Sequence, residues 1–196
     1  MKVRLTFLEP VLGTWPSNEN IARDFIASKA PDASTIEDEI AALGADAVAE
    51  KGKTVFPRTD GQPILYDYQI KGFFKDACGM LARVKSKKSS ALKAYKKIID
   101  GLIFVEPRMI PIEINGEIGE CQRPLRAQTA QGERVSLVNS EEVPAGSTCE
   151  FDVILLDDSH EKVVREWLDY GILRGIGQWR NSGKGRFTYT AYEMKV

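Results

Sequence analysis

The chain has 196 residues, 43% of them hydrophobic, and a formal net charge of −1. That length suits one domain with room for an insertion, and the apolar fraction excludes global disorder. The near-zero charge excludes a uniformly basic nucleic-acid binder, so any anion site must be a local patch. The three cysteines (Cys78, Cys121 and Cys149) are odd in number and lack C-x-x-C spacing, and there is a single histidine. A disulfide framework and a metal site are therefore not expected, and a reducing compartment, the cytoplasm, is.

In chain order, Val3, Leu5 and Phe7 alternate with Arg4, Thr6 and Leu8, which predicts a first strand ended by Pro10. This alternation is a strand start and not the apolar block of a signal peptide. No run approaches the roughly 18 apolar residues of a membrane span. Two helices are predicted at about 18–29 and 35–50, the second opening on the capping-box pattern Ser34-Thr35-Ile36-Glu37. They read as a helical insertion over about 17–50. Thr54–Tyr66 reads as a short hairpin around Asp60-Gly61, a favoured turn pair. Ile70, Phe73, Phe74, Ala77, Cys78, Leu81 and Val84 fall at helical spacing and predict a helix over Tyr68–Val84. A further helix is predicted over Ser89–Asp100, ended by Gly101.

Beyond Gly101 the chain is strand-rich. Strands are predicted at Leu102–Val105, Met109–Ile114, Arg123–Gln128, Arg134–Leu137 and Cys149–Leu156, and about 107–140 reads as a β-rich protrusion. Ser159–Leu173 reads as a helix burying Val163, Val164, Trp167 and Leu168, with Asp158 and Glu161 able to cap it. A glycine-rich loop and a last strand, Arg186–Glu193, close the chain. Strands and helices mixed without βα alternation indicate an α+β fold.

The loop, Gly175-Ile-Gly-Gln-Trp-Arg-Asn-Ser-Gly-Lys-Gly185, combines four glycines with Trp179, Arg180 and Lys184. Amides and cations hold phosphate, and an aromatic face stacks on a base. The alternative is a tight connector whose glycines only solve a turn. A P-loop is excluded, because Gln178 stands where its first glycine belongs and Gly185 follows the lysine. The dinucleotide fingerprint fails as well, with Arg180 in place of the third glycine.

The pattern Gly-apolar-Gly-x5-Gly-x-Gly, placed between a helix and the last strand, resembles the signature loop of the RAMP superfamily, the CRISPR-associated RNA-binding proteins. Three upstream segments resemble its backbone-subunit branch, whose members polymerise along a guide RNA. They are Leu5–Gly13, the turn Thr59–Pro63 leading to Gln69–Lys75 with its Lys-Gly, and Glu141–Phe151 with its Pro-Ala-Gly turn. The four occur in family order. The resemblance implies a single modified ferredoxin-like, RRM-like domain that binds single-stranded RNA without a cofactor. It also implies contacts with copies of itself and with other effector subunits.

On that reading Gly175, Gly177, Gly183 and Gly185 present backbone amides, Arg180, Lys184 and Arg186 hold phosphates, and Trp179 stacks on a base or packs beneath the loop. Lys71 and Lys75, on the Lys-Gly helix, become phosphate contacts or a solvated face. Arg123 and Arg126, on the β-rich protrusion, become contacts to RNA or to the next subunit. The chain also departs from the family. Leu12 stands where many relatives have a histidine, and the early loop that carries an aspartate in target-cleaving subunits corresponds to 17–50, where neither Asp24 nor Asp32 has a matching context.

No catalytic residue is assigned. His160 is read as a surface or cap residue, while a metal-independent endoribonuclease using it or a tyrosine, and a stand-alone protein of the same fold, remain alternatives. Arg83–Lys97 carries seven cations and no acidic residue, which reads as an RNA-backbone patch or as a solvated helix and connector.

Overall fold

A computed structural model describes residues 1–17, 53–129 and 132–192, with the backbone alone for 124–129 and 132–137. The two helices predicted at about 18–29 and 35–50 lie outside the described residues. The elements are β1 (Lys2–Phe7), β2 (Val11–Leu12), β3 (Trp15–Pro16), β4 (Thr54–Val55), β5 (Arg58–Thr59), β6 (Gln62–Tyr66), α1 (Asp67–Leu81), α2 (Tyr95–Leu102), β7 (Ile103–Glu106), β8 (Met109–Glu113), β9 (Gly119–Thr129), β10 (Gly132–Val143), β11 (Thr148–Leu155), α3 (Glu161–Tyr170) and β12 (Phe187–Tyr192). Short 3-10 turns occupy Lys88–Ala91, Asp158–His160 and Arg180–Ser182.

The fold is α+β, with three helices and two sheets among the described residues. The larger sheet runs β12-β1-β11-β8-β6-β5, and β7 also pairs with β11. Strands β7 and β8 take successive lengths of one edge of β11, at Asp152–Leu155 and Thr148–Cys149. Helix α1 lies in sequence between β1 and β7, and α3 between β11 and β12. The pairs β12–β1, β1–β11 and β11–β7 are all antiparallel.

The period-two pattern explains why one face of this sheet is dry. Val3, Leu5 and Phe7 of β1, Cys149, Phe151 and Val153 of β11, and Ile103 and Val105 of β7 are buried together. The helices cover that face, burying Ile70, Phe73, Phe74, Ala77, Cys78 and Leu81 from α1 and Val163, Val164, Trp167 and Leu168 from α3. Phe73 meets Phe187 edge-on at 5.0 Å, and Phe74 meets Trp167 at 5.6 Å, so two aromatic contacts join α1 to β12 and to α3. On the opposite face, Arg4 bridges Glu150 at 3.1 Å and Glu113 at 2.9 Å across three strands.

The smaller sheet runs β2-β10-β4-β3, with β9 added on β10. The β9–β10 hairpin is in register from Gly119↔Glu142 to Thr129↔Gly132, longer at both ends than the predicted strands. Pro124 falls on β9, an edge strand, where a missing N–H is tolerated. Its base is anchored by β2, which pairs Val11–Leu12 with Glu142–Val143.

Several predicted boundaries move. The Thr54–Tyr66 hairpin is shorter: β5 and β6 close on Asp60 (φ 51°) and Gly61 (φ 81°), while Thr54–Val55 joins the smaller sheet. The helix predicted over Ser89–Asp100 is broken, because Ala94 adopts φ 51° and α2 begins only at Tyr95, running past Gly101. Before α3, Asp157 and not Asp158 caps the turn, accepting from the Ser159 N–H at 2.9 Å.

Candidate nucleic-acid interface

The loop between α3 and β12 closes on itself. The Ile176 N–H donates to the Gly185 carbonyl at 3.0 Å, and the Gly185 N–H donates to the Pro10 carbonyl at 2.8 Å. A Cβ on Gly175 would overlap the Lys184 carbonyl oxygen, and one on Gly185 would overlap that of Ile176. Gly185 also has φ 70°, a region unfavourable to L side chains. These two glycines let two backbone runs touch, so they shape the loop. Gly177 crosses over Leu12, and Gly183 ends the 3-10 turn that Trp179 opens.

The loop's cations have internal partners. Lys184 bridges Glu142 on β10 at 2.8 Å, Arg186 bridges Glu9 after β1 at 2.9 Å, and Arg180 bridges Asp76 on α1 at 3.0 Å. Lys184 and Arg186 thus tie the loop to the body. Arg180 differs, because Asp76 also accepts from Arg174 at 2.8 Å. That hydrogen bond raises the Arg174 pKa above its ordinary value. Two guanidiniums thus share one carboxylate.

Arg123 is the third arginine here. It projects from β9 to the loop, is 4% exposed, and lies 5.2 Å from the Trp179 ring centroid. One nitrogen donates to Ser140 Oγ at 3.1 Å and another to Gln178 Oε1 at 2.6 Å, while its Nε has no hydrogen-bond partner. Ser140 Oγ in turn shares a hydrogen bond of 2.7 Å with Thr54 Oγ1. No carboxylate pairs with Arg123 among the described residues. A buried guanidinium held only by neutral acceptors is costly unless an anion comes to it.

Arg123, Arg174, Gly177, Gln178, Trp179 and Arg180 line an open cleft of about 440 Å³. Trp179 is 39% exposed and holds φ 55°, a strained value for a residue other than glycine. The cleft therefore offers an aromatic surface beside three guanidiniums, two of which share the Asp76 carboxylate while Arg123 pairs with none among the described residues.

The other predicted residues lie elsewhere. Lys75 bridges Asp100 at 2.6 Å, and Lys71 donates to the Asp100 carbonyl at 3.2 Å beneath the Phe104 ring. Lys71 lines a separate cleft with Asp67, Phe104, Arg108 and Asp152. Arg126 sits on β9 opposite Val135. His160, read as a surface or cap residue, is buried, 3.8 Å from Asp157, which corrects the first reading, and it stands at the N-cap position of α3, as the second has it.

Sequence reasoning missed Arg174, Gln178, Asp76 and Ser140. Gln178, flanked by Gly177 and Trp179, could have been chosen from the motif. Asp76 could not, since its partners Arg174 and Arg180 are 98 and 104 residues away in sequence.

No family model matches the chain, and no curated protein does. Among solved structures it is similar to a chain of the Type III-B Cmr-beta complex bound to cognate target RNA, with a TM-score of 0.54 and 11% identity. That match covers 98% of this chain and 58% of the other. It is also similar to a chain of a Type IV-B CRISPR complex at 12% identity and a TM-score of 0.48, covering 100% of this chain and 91% of that one. The fold is thus shared with a CRISPR complex subunit of greater length.

Proposed function

We propose that this chain is an RNA-binding backbone subunit of a CRISPR-type ribonucleoprotein complex. It is read as a modified ferredoxin-like domain that grips single-stranded RNA in the cleft of Arg123, Trp179 and Arg180. Three observations support the reading. The first is the ordered family resemblance of four sequence segments. The second is the βαββαβ path through a sheet in the order β12-β1-β11-β7. The third is the fold shared with a subunit of an RNA-bound complex.

The observation that carries the proposal is Arg123, a buried cation under an exposed tryptophan with no carboxylate to balance it among the described residues. An RNA phosphate entering the cleft supplies the missing charge, and the adjoining base stacks on Trp179. Arg180 can turn to that phosphate because Arg174 keeps Asp76 paired. The grip reads charge and base planarity, so it tolerates many sequences and weakens with salt.

The test is fluorescence anisotropy with a labelled oligouridylate. Trp179→Ala is expected to weaken binding roughly tenfold, within the range of about 1–3 kcal/mol for one stacked base. Arg123→Gln is expected to weaken it as well, with circular dichroism as the check that the variant folds. Trp179→Ala leaves the buried core untouched, so wild-type affinity in that variant alone overturns the assignment of the cleft. Discrete cleavage products from the same RNA without metal would replace the binding subunit with a nuclease.

A further inference from the structure

A second cationic surface lies on a different part of the molecule. The seven cations of 83–97 are all exposed, and none forms an ion pair among the described residues. The loop cations behave oppositely, each satisfied by a carboxylate. The run is also not the solvated helix its sequence allows. Glu166 of α3 accepts from the Lys88 N–H at 2.9 Å, the Ser89 N–H at 3.0 Å and the Ser89 hydroxyl at 2.6 Å. Ser89 is fully buried and also accepts from Trp167 Nε1 at 3.0 Å. The backbone beneath the lysines is therefore held in one conformation by a carboxylate reaching up from the core side.

This anchoring makes an open cleft of about 420 Å³ between the 3-10 turn and α3, lined by Lys87, Lys88, Lys162 and Arg165 with Glu166, Asp169 and Tyr189. Glu166 is occupied by the turn, and Arg165 is paired with Glu161 at 2.7 Å. Lys87, Lys88 and Lys162 are exposed and form no ion pair among the described residues, and the cleft's four cations outnumber its two carboxylates, Glu166, which also feels the Lys87 charge, and Asp169. Holding like charges close together is unfavourable, and nothing in the core requires it. Protein interfaces are depleted in lysine, whereas nucleic-acid interfaces are rich in it, so the chemistry favours a phosphate backbone over a protein face.

We propose that the segment 83–97, with Lys162, is a second RNA-backbone contact, separate from the Trp179 cleft, that adds affinity without reading bases. It rests on RNA being the ligand but not on the Trp179 cleft.

The experiment compares the wild type, the triple variant Lys87→Gln/Lys88→Gln/Lys162→Gln, and Trp179→Ala, using a labelled oligouridylate of about 20 nucleotides. Each single-stranded phosphate contact contributes about 0.7 to the slope of log K against log salt, so the triple variant should lose about 2. Raising salt from about 50 to about 200 mM should then cost the wild type roughly twentyfold more affinity than the variant. Trp179→Ala should keep the wild-type slope. An unchanged slope in the triple variant overturns this proposal and leaves the cleft reading intact. A lost slope beside a Trp179→Ala variant of wild-type affinity upholds this contact and overturns the cleft. A triple variant that loses self-association in sedimentation while binding RNA normally means an acidic protein face is the partner, and the proposal falls. A wild type that binds no RNA overturns both.

Discussion

Arg123 and Gly185 show how differently two residues of the candidate interface can be used. Gly185 is constrained by backbone contact and by φ 70°, so its side chain is absent for the loop's own sake. Gly185→Ala is expected to lower stability by about 2 kcal/mol or more, because it adds an overlap to a left-handed backbone cost. Thermal unfolding checks this, and a midpoint within experimental error of wild type would refute it. Arg123 instead sits buried with neutral partners and a cation–π contact, an arrangement that stabilises the free protein little and suits an incoming anion. The glycines were legible in sequence as a motif. Their reason, two carbonyl groups pressed against two α-carbons, was not, because one of those carbonyls lies nine residues on.

At the scale of elements, the pinning of the 83–97 segment is the device to test. Burial pushes the Glu166 pKa up, but hydrogen bonds from the Ser89 hydroxyl, the Ser89 N–H and the Lys88 N–H outweigh it and leave the value below the ordinary 4.5. A carboxyl depressed on folding contributes stability above its unfolded pKa and loses it as pH falls through the folded one. Glu166→Gln should therefore be less stable than wild type at neutral pH, and the gap should close as pH drops below about 4.5. Denaturant melts at several pH values check this, and a gap that stays constant would deny the carboxylate this role. Elements with one clear period, β1, α1, β11 and α3, were legible in sequence to within a few residues. The 83–97 segment was not, because its shape is set by a carboxylate on α3 and not by its own propensities.

For the whole molecule, a small net charge conceals two separate cationic surfaces. One is a cleft of three arginines, two of them sharing Asp76 and the third held by neutral partners, and the other is a run of exposed lysines. If RNA spans both, the purified protein should carry nucleic acid at low salt, and RNA-bound assemblies should show regular mass increments as copies add along the strand. Absorbance ratio and native mass measurement read this directly, and an RNA-free monomer would count against the filament role.

The amino-acid order by itself determined the α+β class, the dry faces of the main strands and helices, and the position of the glycine loop. Each of these follows from local periodicity or from a short spacing. Only the tertiary structure decided which cations are spent on internal ties and which stay uncompensated. Lys184 and Arg186 find Glu142 and Glu9 at separations of 42 and 177 residues, while among the described residues Arg123 hydrogen-bonds only Ser140 and Gln178. Charge pairing depends on distance in space, and composition counts a paired and an unpaired arginine alike.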